Sequence, residues 1–515
     1  MLPGVLELSR RARYLSFHAF LLLEYRERRL PTDNNALSVF IKRCEWDLGL
    51  AVLRCPNHCG SSPVGINAIG NLAAGPGPFP RGESVKSFMG AYGLYYRSPL
   101  ASLGIVAKTG TLLGEQPIPI DVLYETERAL ELAETFRSAV KETEYYKKWM
   151  RLDADLPAEV VDEYAEVACL CRLRERPDER NAVSHALFGL DPTGSQSRET
   201  DEGEIESDVE PAEVSYSEEN VKQRRRSFGH FLSLLEANPQ VVSSESAWRE
   251  GLWSPPPPRS EEHGYVADEW SALVAKDIWQ DAICSAWSEF CRTGLSLTRN
   301  LGRDLTRDEA RQMVADMASG PPALESDMRT KQLGSSLRNG ELLVPGPDGA
   351  DIPITSASLE QLRLWTVDLD TATSGLILVL ELAHRVGEHS GPGWDLAMHL
   401  QSAWQPSVAA VLTGIEAHLA EDPSVGQTLW WLVLHFVLTV HERICYSKLP
   451  EFTFRFRWED GLLHFYDLGI GRFPLPAIRN NPLTSLTRDL AMWEEIDGTP
   501  KLTALGAEFV DEVLA

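Results

Sequence analysis

TRDLAMWEEIDGTPKLTALGAEFVDEVL, residues 487–514, is the stretch on which the architecture turns. The end of an apolar helix runs into a short turn-rich stretch that suits a two-stranded wing, and an amphipathic helix closes it. Thr503 can N-cap the closing helix, and Gly506 permits close packing beneath it. Residues 100–139 repeat the order: LASLGIV, a gap, then PIDVLYETERALELAETF. Both segments therefore predict a winged-helix-like element, most clearly at the C-terminal end. Residues 475–515 carry three bases against seven acids, and Glu494, Glu495 and Asp497 fall in the wing. Such a wing repels phosphates. It predicts packing against another domain or a protein partner through Leu490, Met492 and Phe509, not DNA reading.

Upstream, EFTFRFRWEDGLLHFYDLG (451–469) alternates Phe452, Phe454 and Phe456 with polar residues, which is a strand period. Asp460-Gly461 then marks a hairpin turn. Most of the remaining chain has helical spacing. Helices are expected over about 5–30, 34–53, 83–97, 121–149, 157–189, 305–318, 357–388, 395–420 and 424–447, with a tryptophan-bearing helix through Trp270, Ile278, Trp279, Trp287 and Phe290. Aromatic residues at that spacing read as core. Thr306 to Glu309 forms a capping box. Residues 191–220 hold eleven acids and one base, a composition that cannot bury a core and predicts a disordered linker or insertion. The fold class is thus mainly α-helical and multi-domain, with small β-wings and hairpins. The expected divisions are a helical domain over 1–150, a connector over 151–190, the acidic segment 191–220, a helical domain over 221–450, and a hairpin plus winged-helix-like domain over 451–515.

The chain has 515 residues, 43% hydrophobic and 24% charged, with a formal net charge of −26. That is globular composition, and its acidity disfavours nucleic-acid backbones unless the charge is segregated. Eight unevenly spaced cysteines form no disulfide framework and suit a reducing cytoplasm. The N-terminus lacks the order of a signal peptide, and the apolar run LWWLVLHFVLTV (429–440) is too short to span a membrane. A soluble cytoplasmic protein is expected.

Catalytic signatures are missing. No phosphate-binding G-x-x-x-x-G-K-[ST], no G-x-G-x-x-G and no G-x-S-x-G occurs. His441-Glu442 starts like a zinc-protease helix, but position 445 is Cys, and His435 and His441 do not share a helical face. Pro177-Asp178-Glu179 resembles a nuclease acidic pair with no suitably placed lysine. Two stretches carry binding chemistry. In CPNHCG (55–60), Cys55, His58 and Cys59 are candidate zinc ligands. A second pair, Cys169 and Cys171 in VACLCRL, would point about 200° apart on a helix and so is not expected to share one ion. Packed thiols are the competing reading. No cofactor is otherwise expected. In SRRARYLSF, Arg10, Arg11 and Arg13 interleave with aromatic residues and are candidate nucleic-acid contacts. The competing reading is a core helix whose arginines pair with acids elsewhere in the chain.

LPG followed closely by RRARYLSF resembles the start of a group of uncharacterised bacterial proteins with LPG…TRARYF N-termini, some encoded in anti-phage defence islands beside helicases, methyltransferases or nucleases. The resemblance runs through Glu45 to Leu48, Pro63-Val64-Gly65, the tyrosines Tyr92, Tyr95 and Tyr96, and LGIV, about the first 150 residues. The acidic insertion and the almost immediate LPG depart from the group's pattern. The group supplies no catalytic residues to transfer. The resemblance implies an accessory or adaptor subunit of a defence or DNA-processing complex, with protein partners and with nucleic acid reached through the basic helix or through those partners. The alternatives are a divergent metal-dependent nuclease or hydrolase and an acidic DNA-mimic binding protein.

Overall fold

The computed structural model describes residues 2–7, 9–83, 85–113, 116–189, 218–401, 406–468 and 478–515. The acidic segment expected to be a linker lies outside the described residues, except for 218–220, which begin a helix. The chain is mainly helical, with small antiparallel sheets of two or three strands. It divides into two compact units, 1–243 with 479–515, and 244–478. Residues 221–243 group with the first unit, and 451–468 with the second.

The first unit is built around the helix Arg13–Glu27, whose residues from Arg13 to Tyr25 are all buried. A helix apolar on every side is enclosed on every side, so its polar members need internal partners. Arg13 meets Glu179, His18 meets Glu45 at 3.0 Å, and Glu24 meets Arg28 and Arg137. The helix Asn34–Leu53 starts on Asp33, whose carboxylate accepts from the Ala36 N–H. It ends before Cys55 and Pro56, which has no N–H to continue it. Several expected helices are shorter than their periodicity suggested or are divided, 157–189 and 357–388 among them. Among the described residues of 83–97, a π-helical turn, Tyr92–Tyr96, runs into the helix Arg97–Ser102. Within 121–149, Val122–Leu123 is a strand, Thr126 caps the helix Glu127–Val140, and Thr143 caps Glu144–Lys147.

The expected repeat is present as helix, hairpin, helix. Arg97–Ser102 leads to the strand pair Val106–Ala107 and Val122–Leu123, then to Glu127–Val140. Asn480–Asp489 leads to Trp493–Ile496 and Thr499–Leu502, then to Ala504–Leu514. Both first helices stop in the same way. Leu103, Gly104 and Ile105 donate to Pro99, Ala101 and Leu100, and Leu490, Ala491 and Met492 donate to Leu486, Arg488 and Thr487. Gly104 and Ala491 are both left-handed, at φ 65° and 57°. Thr503 caps the last helix as expected, and Gly506 lies so close to the Met492 carbonyl that a Cβ would collide with it. This C-terminal element packs within the first unit: Phe509 lies 4.9 Å from Phe188, and Arg225 pairs with Glu512.

The second unit centres on the tryptophan-bearing helix Glu261–Leu301, capped by Ser260 and ended by left-handed Gly302. Trp270, Ile278, Trp279, Trp287 and Phe290 are buried, as their spacing predicts. Thr306 and Glu309 form the expected capping box. Phe456–Glu459 and Leu462–Phe465 form the expected hairpin, and Leu305–Thr306 adds a third strand. Among the described residues, no helix is long and apolar enough to cross a membrane.

Candidate metal centre

The first half of the centre is the loop after Asn34–Leu53. Arg54 fixes it, donating to both Asp162 oxygens at 2.5 and 2.8 Å and to the carbonyls of Ala73 and Gly75. The loop then turns back on itself: the His58 N–H donates to the Cys55 carbonyl at 3.0 Å, and His58 and Gly60 are left-handed, at φ 45° and 64°. This turn brings Cys59 alongside Cys55 and points His58 outward, exposed and apart from the sulfurs.

The second half comes from the end of Ala158–Ala168. Cys169 follows it in an extended conformation, φ −53° and ψ 140°, and a 3-10 turn, Leu170–Glu175, begins after it. The expectation that Cys169 and Cys171 would splay assumed one continuous helix. The break at Ala168 removes that assumption and brings the two sulfurs to 3.5 Å. The Cys169 carbonyl accepts from the Arg13 guanidinium at 2.5 Å, which locks the segment to the core.

The four sulfurs of Cys55, Cys59, Cys169 and Cys171 all lie within 4.8 Å of one another. Cys55 to Cys171 is 3.7 Å and Cys59 to Cys169 is 3.6 Å. A tetrahedral zinc with Zn–S bonds of about 2.3 Å sets its sulfurs about 3.8 Å apart, so the spacing fits a tetrathiolate metal. All four are free thiols; Cys55 and Cys169 are buried, Cys59 and Cys171 half-buried. Hydrogen bonding from Cys169 above all, with further bonds from Cys59 and Cys55, pulls the Cys171 thiol down to about 5. The same bond with Cys171, and then burial, pushes Cys169 up. These are two ends of one effect, the hydrogen bonding between neighbouring sulfurs. Arg172 stands beside it, its guanidinium 3.5 Å from the Asn57 side-chain oxygen and paired with Glu175 at 2.7 Å. Among the described residues, these cysteines are the only cluster of three or more His, Cys, Asp or Glu side chains able to hold a metal.

The other candidates fare differently. Arg13 is fully buried; its Nε and Nη2 donate to Glu179 at 2.9 and 2.8 Å. It cannot reach a phosphate. The same pair takes Glu179 out of the acidic motif Pro177-Asp178-Glu179. Arg11 donates twice to Asp489, at 3.0 and 3.1 Å. Arg10 stays exposed, 3.7 Å from Glu7. His441 is buried, accepts from the Arg455 N–H and is held down to about 4 by burial first, with Arg455 and Lys448 adding to it. It is a neutral core histidine. Sequence reasoning had both cysteine pairs in view but set their union aside on spacing and helical geometry; the missed signal was the extended residue that ends the helix before Cys169. Comparison with protein-family models, with curated proteins and with solved structures found no significant match.

Proposed function

We propose that this chain is a non-catalytic accessory subunit that works through binding surfaces, and that a structural zinc ion held by Cys55, Cys59, Cys169 and Cys171 fastens its first unit. The observation that carries the proposal is the closure of the site. Four thiols fill the four positions of a tetrahedral ion, whereas a catalytic zinc keeps one position for water or substrate. Buried acids elsewhere point the same way, because they are tied into the scaffold. Asp121 accepts from Tyr92, Arg97 and the Thr109 N–H, and Asp277 pairs with Arg249.

The setting in a bacterial anti-phage defence or DNA-processing complex rests on the resemblance of the N-terminal 150 residues. Free thiols at all eight cysteines support a reducing, cytoplasmic location. The C-terminal helix–hairpin–helix serves as a winged-helix-like packing element. Its Glu494, Glu495 and Asp497 are exposed on the wing, where they repel phosphate and suit a protein partner.

The test is to purify the tagged full chain from its native cells, identify what co-elutes and measure metal. Protein partners in fixed ratio together with one zinc per chain are expected. A chain that elutes alone and hydrolyses nucleic acid with an added divalent cation overturns the reading.

A further inference from the structure

We infer that the tetrathiolate centre is an oxidant-labile staple: hydrogen peroxide converts it to two cross-segment disulfides, Cys55–Cys171 and Cys59–Cys169, and zinc leaves. The inference rests on the zinc reading above and adds how the site is regulated. Three features support it. Besides the 3.5 Å within the Cys169–Cys171 pair, the close distances run across the two chain segments, at 3.7 and 3.6 Å, so each sulfur already has a neighbour on the other segment. Each such pair joins one half-exposed sulfur, Cys171 or Cys59, to one buried sulfur, Cys55 or Cys169. The exposed member is open to a small oxidant and the buried member is placed to resolve it. The third feature is the loop 55–60, in which Pro56, Asn57, His58 and Gly60 are exposed around the half-buried Cys59.

The chemistry balances. A thiolate sulfur attacks a peroxide oxygen, the O–O bond breaks, hydroxide leaves and a sulfenic acid forms. The neighbouring thiolate attacks the sulfenic sulfur, an S–S bond forms and a second hydroxide leaves. Two thiolates and one peroxide thus give one disulfide and two hydroxides. Two rounds oxidise four thiolates, reduce two peroxides and free one Zn²⁺.

The change has a path into the unit. A disulfide is about 2.05 Å long, so closure draws residues 169–171 toward the 55–59 loop. The Cys169 carbonyl holds Arg13, and Arg174 further along the turn donates to the Trp493 carbonyl at 3.4 Å. Oxidation therefore acts on the anchor of the first helix and on the seat of the C-terminal element.

The experiment uses the reduced, zinc-loaded full chain. Peroxide is titrated in, released zinc is read with a chromogenic chelator, and disulfides are mapped by mass spectrometry of a non-reducing digest. One zinc released per chain, the two named cross-links, and restoration by a thiol reductant with added zinc are expected. Zinc retained in excess peroxide overturns the inference, as does zinc lost with sulfinic acids and no cross-links, or with cross-links to Cys44, Cys284, Cys291 or Cys445. A chain that purifies without zinc and takes up none defeats the zinc reading itself, and this inference with it.

Discussion

The start of the first helix and the two cysteine pairs are where binding chemistry crowds most densely, and folding uses them in opposite ways. The arginines turn inward: Arg13 and Arg11 each meet a buried carboxylate, and their charge is cancelled inside the unit. The thiols turn toward one another and meet no such partner, so they keep their capacity to bind. A charged residue in a sequence advertises a charge but not its neutraliser. Glu179 lies 166 residues from Arg13, and Asp489 lies 478 from Arg11. A thiol cluster is different: its sulfurs are one another's neighbours, and one metal ion would engage all four at once.

Removing a ligand should give the largest effect. Cys55→Ser or Cys169→Ser is expected to take zinc from one per chain to near none, and to lower the first unit's thermal transition by on the order of 10 °C, because metal binding is linked to folding. A strong chelator on the native chain should do the same. Elemental analysis with calorimetry checks this; a transition unmoved by chelator returns the cluster to packed thiols.

Next comes Arg13. Arg13→Ala leaves Glu179 buried without its partner, and such breakage costs about 3–5 kcal/mol. Arg13→Lys should recover little, because an ammonium cannot reproduce the fork that reaches both Glu179 oxygens and the Cys169 carbonyl. Since that carbonyl belongs to a ligand residue, zinc affinity should fall as well. Equilibrium unfolding and a zinc competition titration measure the two effects; normal stability in Arg13→Ala would show that the inward turn is not what holds the first helix.

What the sequence made legible was local. The Thr306–Glu309 capping box, the Asp460-Gly461 hairpin, the helix Asn34–Leu53 and the C-terminal helix–hairpin–helix depend on residues close in sequence, as does the buried face of the tryptophan helix. Thr126 and Thr143 carried usable cap signals that would have divided the expected 121–149 helix. Half of the candidate site was legible as Cys55 and Cys59. The other half was not, because joining it to Cys169 and Cys171 means closing a loop of more than a hundred residues and ending a helix where no proline or glycine announces it. His58 looked like a ligand for want of knowing that its backbone would turn left-handed and carry it outward.

Arg11 should show an intermediate effect with a pH signature. Burial raises Asp489, and Arg11 is the main influence pulling it back. An aspartate whose folded pKa lies above its unfolded value binds a proton first in the native state. Stability from this group therefore rises as pH falls through the window between the two. Arg11→Ala raises the folded value further and widens the window upward. The variant should lose about 1–3 kcal/mol near neutral pH and regain part of it on mild acidification, more than the parent does. Asp489→Asn in the same background should blunt the pH response. Urea titrations at several pH values test this; parallel curves for parent and variant would mean that Arg11 does not control Asp489.

Arg10 should matter least, and for that reason it sharpens the contrast. Its side chain is 50% exposed, and its acidic neighbour Glu7 is 3.7 Å away. A surface pair of this kind is worth little, so Arg10→Ala is expected to change stability by less than about 0.5 kcal/mol. It is also the only one of the three candidate arginines left facing solvent for a phosphate. Each phosphate neutralised contributes a slope of about −0.9 in log affinity against log salt for duplex DNA. With Arg11 and Arg13 committed inside, this segment can supply about one such contact, against a chain whose net charge is −26. If the protein binds DNA at all, Arg10→Ala should change that slope by about one unit or less. A salt series on parent and variant decides it. A change of several units would mean that the first helix opens to present Arg11 and Arg13, and that their internal pairing is a resting state which nucleic acid displaces.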